Sequence, residues 1–267
     1  VAHAHDNSSV SPVARAFVEA RRSGRALPVY PGSQPESLAA AYAVQDDAIS
    51  LANDRIAGWK LGRVPPPFDA RFGAGRLAGP IFAGHLQDAT DAAFPVIEGG
   101  FAAVEAEYVL VMGTDAPDRD GWTAQSVIDL VADARIGIEI AGSPFPGIND
   151  HGPAVTASDF GNNQGLILGP SIPGWRDRLN GLTCRMEIDG VEVGRGGAAL
   201  VPGGPLDSLA FLLNLLHARG RMLEAGQLVS TGAATGVHRI FAGQACLADF
   251  GPDGRLSGRA VAWGTGG

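Results

Sequence analysis

The sequence predicts an α+β fold, on three observations. Among 267 residues 38 are glycine and only 7% are aromatic, a balance that favours turns and close backbone approaches, hence strands with some helices. Candidate strands follow one another without the regular strand–helix–strand rhythm of a doubly wound sheet. Helical signals gather instead before about Ala57, with further ones near residues 123–134 and 205–220. The expected organisation is a helical N-terminal portion (residues 1–56) and a larger portion (57–267) that form one structural unit. The 45% apolar content suffices for a sizeable core.

Along the chain, Ser11-Pro12 opens a helix with a capping hydroxyl and a proline in the first turn. Val13, Phe17 and Ala20 form its apolar stripe, and Gly24 closes it. A second helix is expected from Pro35 to about Asn53, with Leu38, Ala41, Tyr42, Gln45, Ala48 and Ile49 on one face. Ile56–Gly62 reads as a strand, and Val64–Pro67 as a stiff loop that cannot extend a ladder. Residues 68–100 read as loops with short strands. Gly73, Gly75 and Gly79 match no dinucleotide fingerprint and read as turn glycines. Ala102–Met112 is the clearest strand. A helix capped near Thr123 is expected through Ala134, then a strand over Ile136–Ala141. Residues 142–164 read as one long loop, a length more often functional than idle. Leu182–Ile188 and Val191–Val193 flank Asp189-Gly190 as a hairpin. A helix follows Pro205 and ends at Gly220. Strands are expected near Leu228–Thr231, Cys246–Phe250 and Arg259–Trp263, with a tight turn at Asp253-Gly254.

The net charge of -8 repels phosphate backbones, so nucleic acid is not an expected partner. An acidic protein that handles an acidic substrate needs a local cation. Cys184 and Cys246 are too few for a disulfide framework and point to a reducing compartment, the cytoplasm. No apolar stretch approaches membrane-spanning length and no signal-peptide pattern is visible. His3 and His5 read as a polar tail. Asn7-Ser8-Ser9 fits a glycosylation sequon that this compartment leaves unused.

The chemistry concentrates on carboxylates. Glu105 and Glu107 project from one strand face, roughly 7 Å apart, while Val104, Ala106, Tyr108 and Leu110 take the core face. An isolated Glu-x-Glu is most often a solvated face. Glu139 alters that reading: it stands between Ile138 and Ile140, on a face shared with the small Gly137 and Ala141. A lone buried carboxylate is costly unless paired or metal-bound. Three carboxylates on neighbouring strands suit Mg²⁺ or Mn²⁺, and Ca²⁺ also fits; zinc suits them less without His or Cys. Lys60, in the apolar segment GWKLG, either snorkels to water or acts as an acid or base beside the cation, which would lower its pKa. Ser230 and Thr231 stand at a strand end, where substrate contact and a plain strand-terminal turn are equally open. His85, His151, His217 and His238 share no spacing. His217 falls near a helix C-terminus, and His151 sits in the long loop.

An ordered set of segments resembles the 2-keto-4-pentenoate hydratase and oxalocrotonate decarboxylase branch of the fumarylacetoacetate hydrolase superfamily, from about Tyr42 to Val261. The segments are AYAVQ (41–45), GWKLG (58–62), GPIF (79–82), VEAEYVLVM (104–112), GIEIAGS (137–143), SDFGNNQGLILG (158–169), GRGG (194–197) and GQLVSTGA (226–233). The resemblance implies a twisted mixed β-roll with peripheral helices. It implies Glu105, Glu107 and Glu139 as ligands of Mg²⁺ or Mn²⁺, and Lys60 and Asp159 as catalytic residues; Asn162, Ser230 and Thr231 are the candidate substrate-binding residues. It also implies assembly into rings, or a complex with a paralogue. The chain departs from that pattern at three places. Arg63-Val64-Pro65 replaces hydroxyl-bearing residues, so Arg63 either holds a distal substrate carboxylate or lies exposed. Leu77 and Ala78 stand where an acid or tyrosine is usual, and Phe160 replaces an asparagine.

The activity this implies is a metal-dependent hydratase, a lyase adding water to a 2-hydroxy-2,4-dienoate from aromatic ring degradation to give a 4-hydroxy-2-oxo acid. Alternatives are an oxalocrotonate-type decarboxylase, an acylpyruvate C–C hydrolase, and a non-catalytic partner that binds 2-oxo acids. The absent acid before Gly79 favours the last.

Overall fold

The computed structural model describes residues 10–264; His3, His5 and the Asn7 sequon lie outside them. In chain order the described elements are α1 (Pro12–Ser23), α2 (Leu38–Ala52), β1 (Ile56–Arg63), α3 (Phe68–Phe72), β2 (Arg76–Phe82), β3 (Leu86–Asp88), β4 (Asp91–Val96), β5 (Phe101–Met112), α4 (Ala124–Val127), β6 (Val131–Ser143), α5 (Pro153–Ser158), β7 (Asn163–Ser171), α6 (Trp175–Arg178), β8 (Thr183–Ile188), β9 (Val191–Gly197), α7 (Pro205–Ala218), β10 (Leu228–Ser230), β11 (His238–Arg239), β12 (Ala245–Asp249) and β13 (Arg255–Ala262).

Two mixed sheets build the α+β fold. The larger runs β2-β1-β10-β5-β6-β7-β3, with β11 also paired to β5; the smaller runs β4-β13-β12-β8-β9. The main core lies between them. It takes Val104, Ala106, Tyr108 and Leu110 from β5, Ile136, Ile138 and Ile140 from β6, Met186 from β8 and Leu256 from β13. Apolar side chains on alternate residues commit one face of β5 and β6 to this core. The opposite face is left for other chemistry.

The first helix forms as its signals predict. Ser11 Oγ accepts from the Ala14 N–H, and Gly24 terminates the helix at φ 63°. The second starts later than expected, at Leu38, because the Ser37 hydroxyl caps it by accepting from the Ala40 N–H. This helix braces the sheet. Tyr42 Oη accepts from the Ala78 N–H, and Gln45 donates to the Ala78 and Ala157 carbonyls.

Three expectations need correction. The helix over residues 123–134 is a single turn, α4, then a 3₁₀ turn (Ile128–Leu130). From Val131 the chain is already β6, paired with β5 from Met112↔Val131 to Phe101↔Ser143; partner strand and core override the local helical pattern. Gly79 is no turn glycine but lies inside β2, opposite Lys60. The region 142–164 carries α5 and a short turn at Phe160–Asn162. The Asp189-Gly190 hairpin forms as expected, with φ of 49° and 78° at its two central residues.

Candidate active site

β5 and β6 place Glu105 directly opposite Glu139, with Glu107 opposite Gly137. One oxygen from each carboxylate lies within 4.8 Å of the others. A solvated face is ruled out by burial: Glu105 is 5% exposed, and Glu107 and Glu139 are 0% exposed.

Half of this cluster is satisfied. Glu107 Oε2 accepts from the Ser230 hydroxyl at 2.6 Å and the Gly232 N–H at 2.9 Å. Glu139 Oε1 accepts from Asn163 Nδ2 at 3.0 Å and faces Lys60 Nζ at 3.1 Å. Glu107 Oε1 and Glu139 Oε2 are buried with no hydrogen-bond partner among the described residues. Orphaned buried carboxylate oxygens are costly, and these belong to one all-oxygen cluster. The donor set therefore fits a hard divalent cation.

The electrostatics agree. Burial drives the Glu105 carboxyl up to about 8, Glu139 adds to the rise and Lys60 opposes it. Glu107 is raised well above the usual carboxyl value by burial, then by Glu139 and Glu105, against the Ser230 hydrogen bond and Lys60. Burial disfavours the Lys60 ammonium, but Glu139, Glu105 and Glu107 outweigh it and hold its pKa above the ordinary lysine value. That direction is opposite to the one expected beside a cation, because bare carboxylates surround the amine.

Lys60 does not snorkel: it is 3% exposed. Nζ donates to the Gly161 carbonyl at 3.1 Å and to Asn162 Oδ1 at 3.0 Å. These acceptors sit in an unusual turn, with Phe160, Gly161 and Asn162 all left-handed at φ 54°, 61° and 57°. Gly79 makes room for it. A Cβ at that position would stand 1.8 Å from the Phe160 carbonyl oxygen.

The other expected residues divide. Asn162, Thr231 and Arg63 line a cavity of about 630 Å³ that also exposes Lys60 and Glu105. The Thr231 hydroxyl is spent on the Tyr108 carbonyl at 2.7 Å. Ser230 serves Glu107 and does not line the cavity. Asp159 is fully buried, and its carboxylate accepts from Arg21 and Ser143 rather than facing the cavity. His151 stacks on Phe145, and His217 pairs with Asp118 at the end of α7. Sequence reading missed Asn163, which orients Glu139, and Asn149, which accepts from Asn162 Nδ2 at 3.1 Å. The pairing Ala141↔Asn163 that delivers Asn163 depends on β7 starting there, and the region read as one loop up to residue 164.

A deep carboxylate cluster with a buried amine and a cavity suits proton transfer on a small acid. Several solved enzymes share this fold. A 4-oxalocrotonate decarboxylase from Pseudomonas putida G7, solved with magnesium and adipate, matches at TM-score 0.81 and 22% identity over 96% of this chain and 98% of that one. A fumarylpyruvate hydrolase from Pseudomonas aeruginosa, solved with Mn²⁺ and pyruvate, matches at TM-score 0.57 and 17% identity over 78% of this chain and 90% of that one. No family model matches the chain. Among curated proteins, a 2-keto-4-pentenoate hydratase from Burkholderia vietnamiensis strain G4 is 28% identical over 237 residues, 85% of this chain and 88% of the relative. A protein named TodF product hydratase from Pseudomonas putida F1 is 29% identical over 239 residues, 84% of this chain and 85% of the relative. The hydratase resemblance read from the sequence is thereby borne out.

Proposed function

We propose that the chain is a hydro-lyase that adds water to a 2-hydroxy-2,4-dienoate and yields a 4-hydroxy-2-oxo acid. The hydratase names of its curated relatives support the reaction. The observation that carries it is the pair of orphaned oxygens, Glu107 Oε1 and Glu139 Oε2, in a triad reached by Lys60. Glu105, Glu107 and Glu139 would hold the divalent ion, Mg²⁺ or Mn²⁺, which supplies Lewis acidity toward the 2-oxygen and carboxylate of the substrate.

Lys60 takes the role of proton carrier. It removes the proton from the 2-hydroxyl group and returns one to carbon 5, giving a conjugated enone. The oxygen of water then adds to carbon 4 and a proton to carbon 3. Gly161 and Asn162 hold the amine in place through its two hydrogen bonds. Asn162 and Thr231 border the substrate from the cavity wall. Helices and sheet act as one unit in this reading, since Arg21 of α1 reaches Asp159 beside the turn. We also propose a cytoplasmic homo-oligomer. Buried Cys184 and Cys246 suit a reducing compartment, and exposed Val191, Val193, Val237 and Phe241 suit contact with further copies.

The test is turnover of a panel of 2-hydroxy-dienoates, oxalocrotonate and acylpyruvates, with Mg²⁺ supplied and then chelated. Loss of dienoate absorbance without CO₂ release, abolished by chelation, is expected. No turnover on any substrate, with tight oxalate binding, would overturn the enzymatic reading. One observation favours decarboxylation of a diacid as a second reading. Arg63 lines the cavity, and no hydrogen bond or ion pair holds its guanidinium among the described residues. CO₂ release from oxalocrotonate in the same panel selects it.

A further inference from the structure

We propose that Arg21, on the N-terminal helix and outside the cavity, is a positioning residue for Lys60, acting through Asp159 and the left-handed turn. The inference rests on the role of Lys60 proposed above. Its guanidinium forms a fork on Asp159, with Nε to Oδ1 at 2.7 Å and Nη2 to Oδ2 at 3.0 Å. Nη2 also donates to the Gly142 carbonyl at 2.8 Å. The same guanidinium lies 5.2 Å from the centroid of the Phe160 ring. One side chain therefore joins the end of β6, three residues past Glu139, to the start of the turn that holds Lys60.

The turn needs such a clamp. Phe160 and Asn162 are non-glycine residues in the left-handed region, a conformation that persists only where the surroundings over-determine it. Asp159 supplies the turn's closing bond, its carbonyl accepting from the Asn162 N–H at 2.8 Å. Ser143 completes the Asp159 carboxylate at 2.6 Å. Removing Arg21 leaves the buried Asp159 carboxyl group with the Ser143 hydroxyl as its one remaining partner among the described residues, and the turn loses its anchor. Lys60 then loses fixed acceptors at Gly161 and Asn162. A bidentate fork of this kind is specific to arginine.

The alternative is that Arg21 merely pins α1. That helix has its own apolar anchorage through Val13, Phe17 and Val18, so Phe17→Ala is the control. Arg21→Ala, Arg21→Gln, Arg21→Lys and Phe17→Ala are made in the full chain. With Mg²⁺ supplied, kcat and KM are measured on the dienoate turned over best, and amide hydrogen exchange is followed over residues 159–163. In Arg21→Ala, kcat is expected to fall roughly 10- to 100-fold, the scale of a small misplacement of a catalytic group, with KM little changed. Arg21→Lys recovers part of the loss. Phe17→Ala lowers the melting temperature but not kcat. Exchange at 160–163 accelerates in Arg21→Ala and not in Phe17→Ala. If Arg21→Ala does not fold, Arg21→Gln carries the comparison. Equal kcat losses in Arg21→Ala and Phe17→Ala, or unchanged exchange over the turn, would overturn the inference. If wild type turns over no dienoate, the functional reading has failed, and exchange over the turn alone decides whether Arg21 holds it.

Discussion

Glu139 and Lys60, which face each other in the cluster, have opposite expected losses. Glu139→Gln removes the charge that faces Lys60 at 3.1 Å and one donor of the triad. Divalent-ion binding, followed calorimetrically, should disappear. Lys60→Met should do the reverse, keeping ion binding while turnover falls roughly 10²- to 10⁴-fold, the usual worth of a general acid or base. If Lys60→Met left the rate intact, the proton-carrier role would be lost. The Glu105 shift has a sign that can be checked without substrate. Its folded pKa, raised to about 8, lies above the usual carboxyl value of 4.5. The group therefore contributes stability below that lower value and loses it as pH rises through the upper one. The metal-free protein should melt lower at about pH 9 than at about pH 6, and added divalent ion should reverse the loss at the higher pH. A melting temperature flat across that window would show that the carboxyl groups are not strained.

At the scale of elements, the clearest strand in the sequence proved to be the one that matters most. Alternation along VEAEYVLVM separated Glu105 and Glu107 from the core side chains, and IGIEI did the same for Glu139. The β7 strand and the Phe160–Asn162 turn were not legible, for a physical reason. Their residues are polar, glycine-rich and held by partners distant in sequence, Gly79 and Arg21 among them. The false helix before β6 failed for the converse reason: its local pattern was apolar enough for either state, and pairing with β5 decided it. Asp159 was placed in the right neighbourhood, but only its partner on α1 reveals that its carboxylate points away from the cavity. The close approach at Gly79 makes a prediction here. Gly79→Ala puts a Cβ 1.8 Å from the Phe160 carbonyl oxygen. Shifting the turn should cost about 1–3 kcal/mol in chemical denaturation, the range for overpacking, and should lower turnover as well. A fully stable and active Gly79→Ala would mean that the turn does not depend on that contact.

On the scale of the molecule, charge is distributed against the average. The chain carries a net charge of -8, yet the cavity that exposes Lys60 and Glu105 is bordered by Arg63, Arg76 and Arg239. Arg63 and Arg76 face each other across β1 and β2. Arg76 is paired with Asp207 at 3.0 Å, while Arg239 lies over the Phe101 ring. The rim thus favours anionic ligands and leaves Arg63 available. Arg63→Ala should raise KM for a dicarboxylic dienoate roughly 10- to 100-fold, the worth of a charge-assisted hydrogen bond, and leave a monocarboxylic one unaffected. Equal changes for both would remove Arg63 from substrate selection.

The pairing of Glu105 with Glu139 across β5 and β6 has one more consequence. Because neighbouring residues point to opposite sides, sliding either strand by one position would drive acids among the aliphatic side chains and empty the ion site in the same step. Misaligned molecules are therefore both less stable and unable to capture the cation. Ion binding therefore adds stability to the aligned pairing alone.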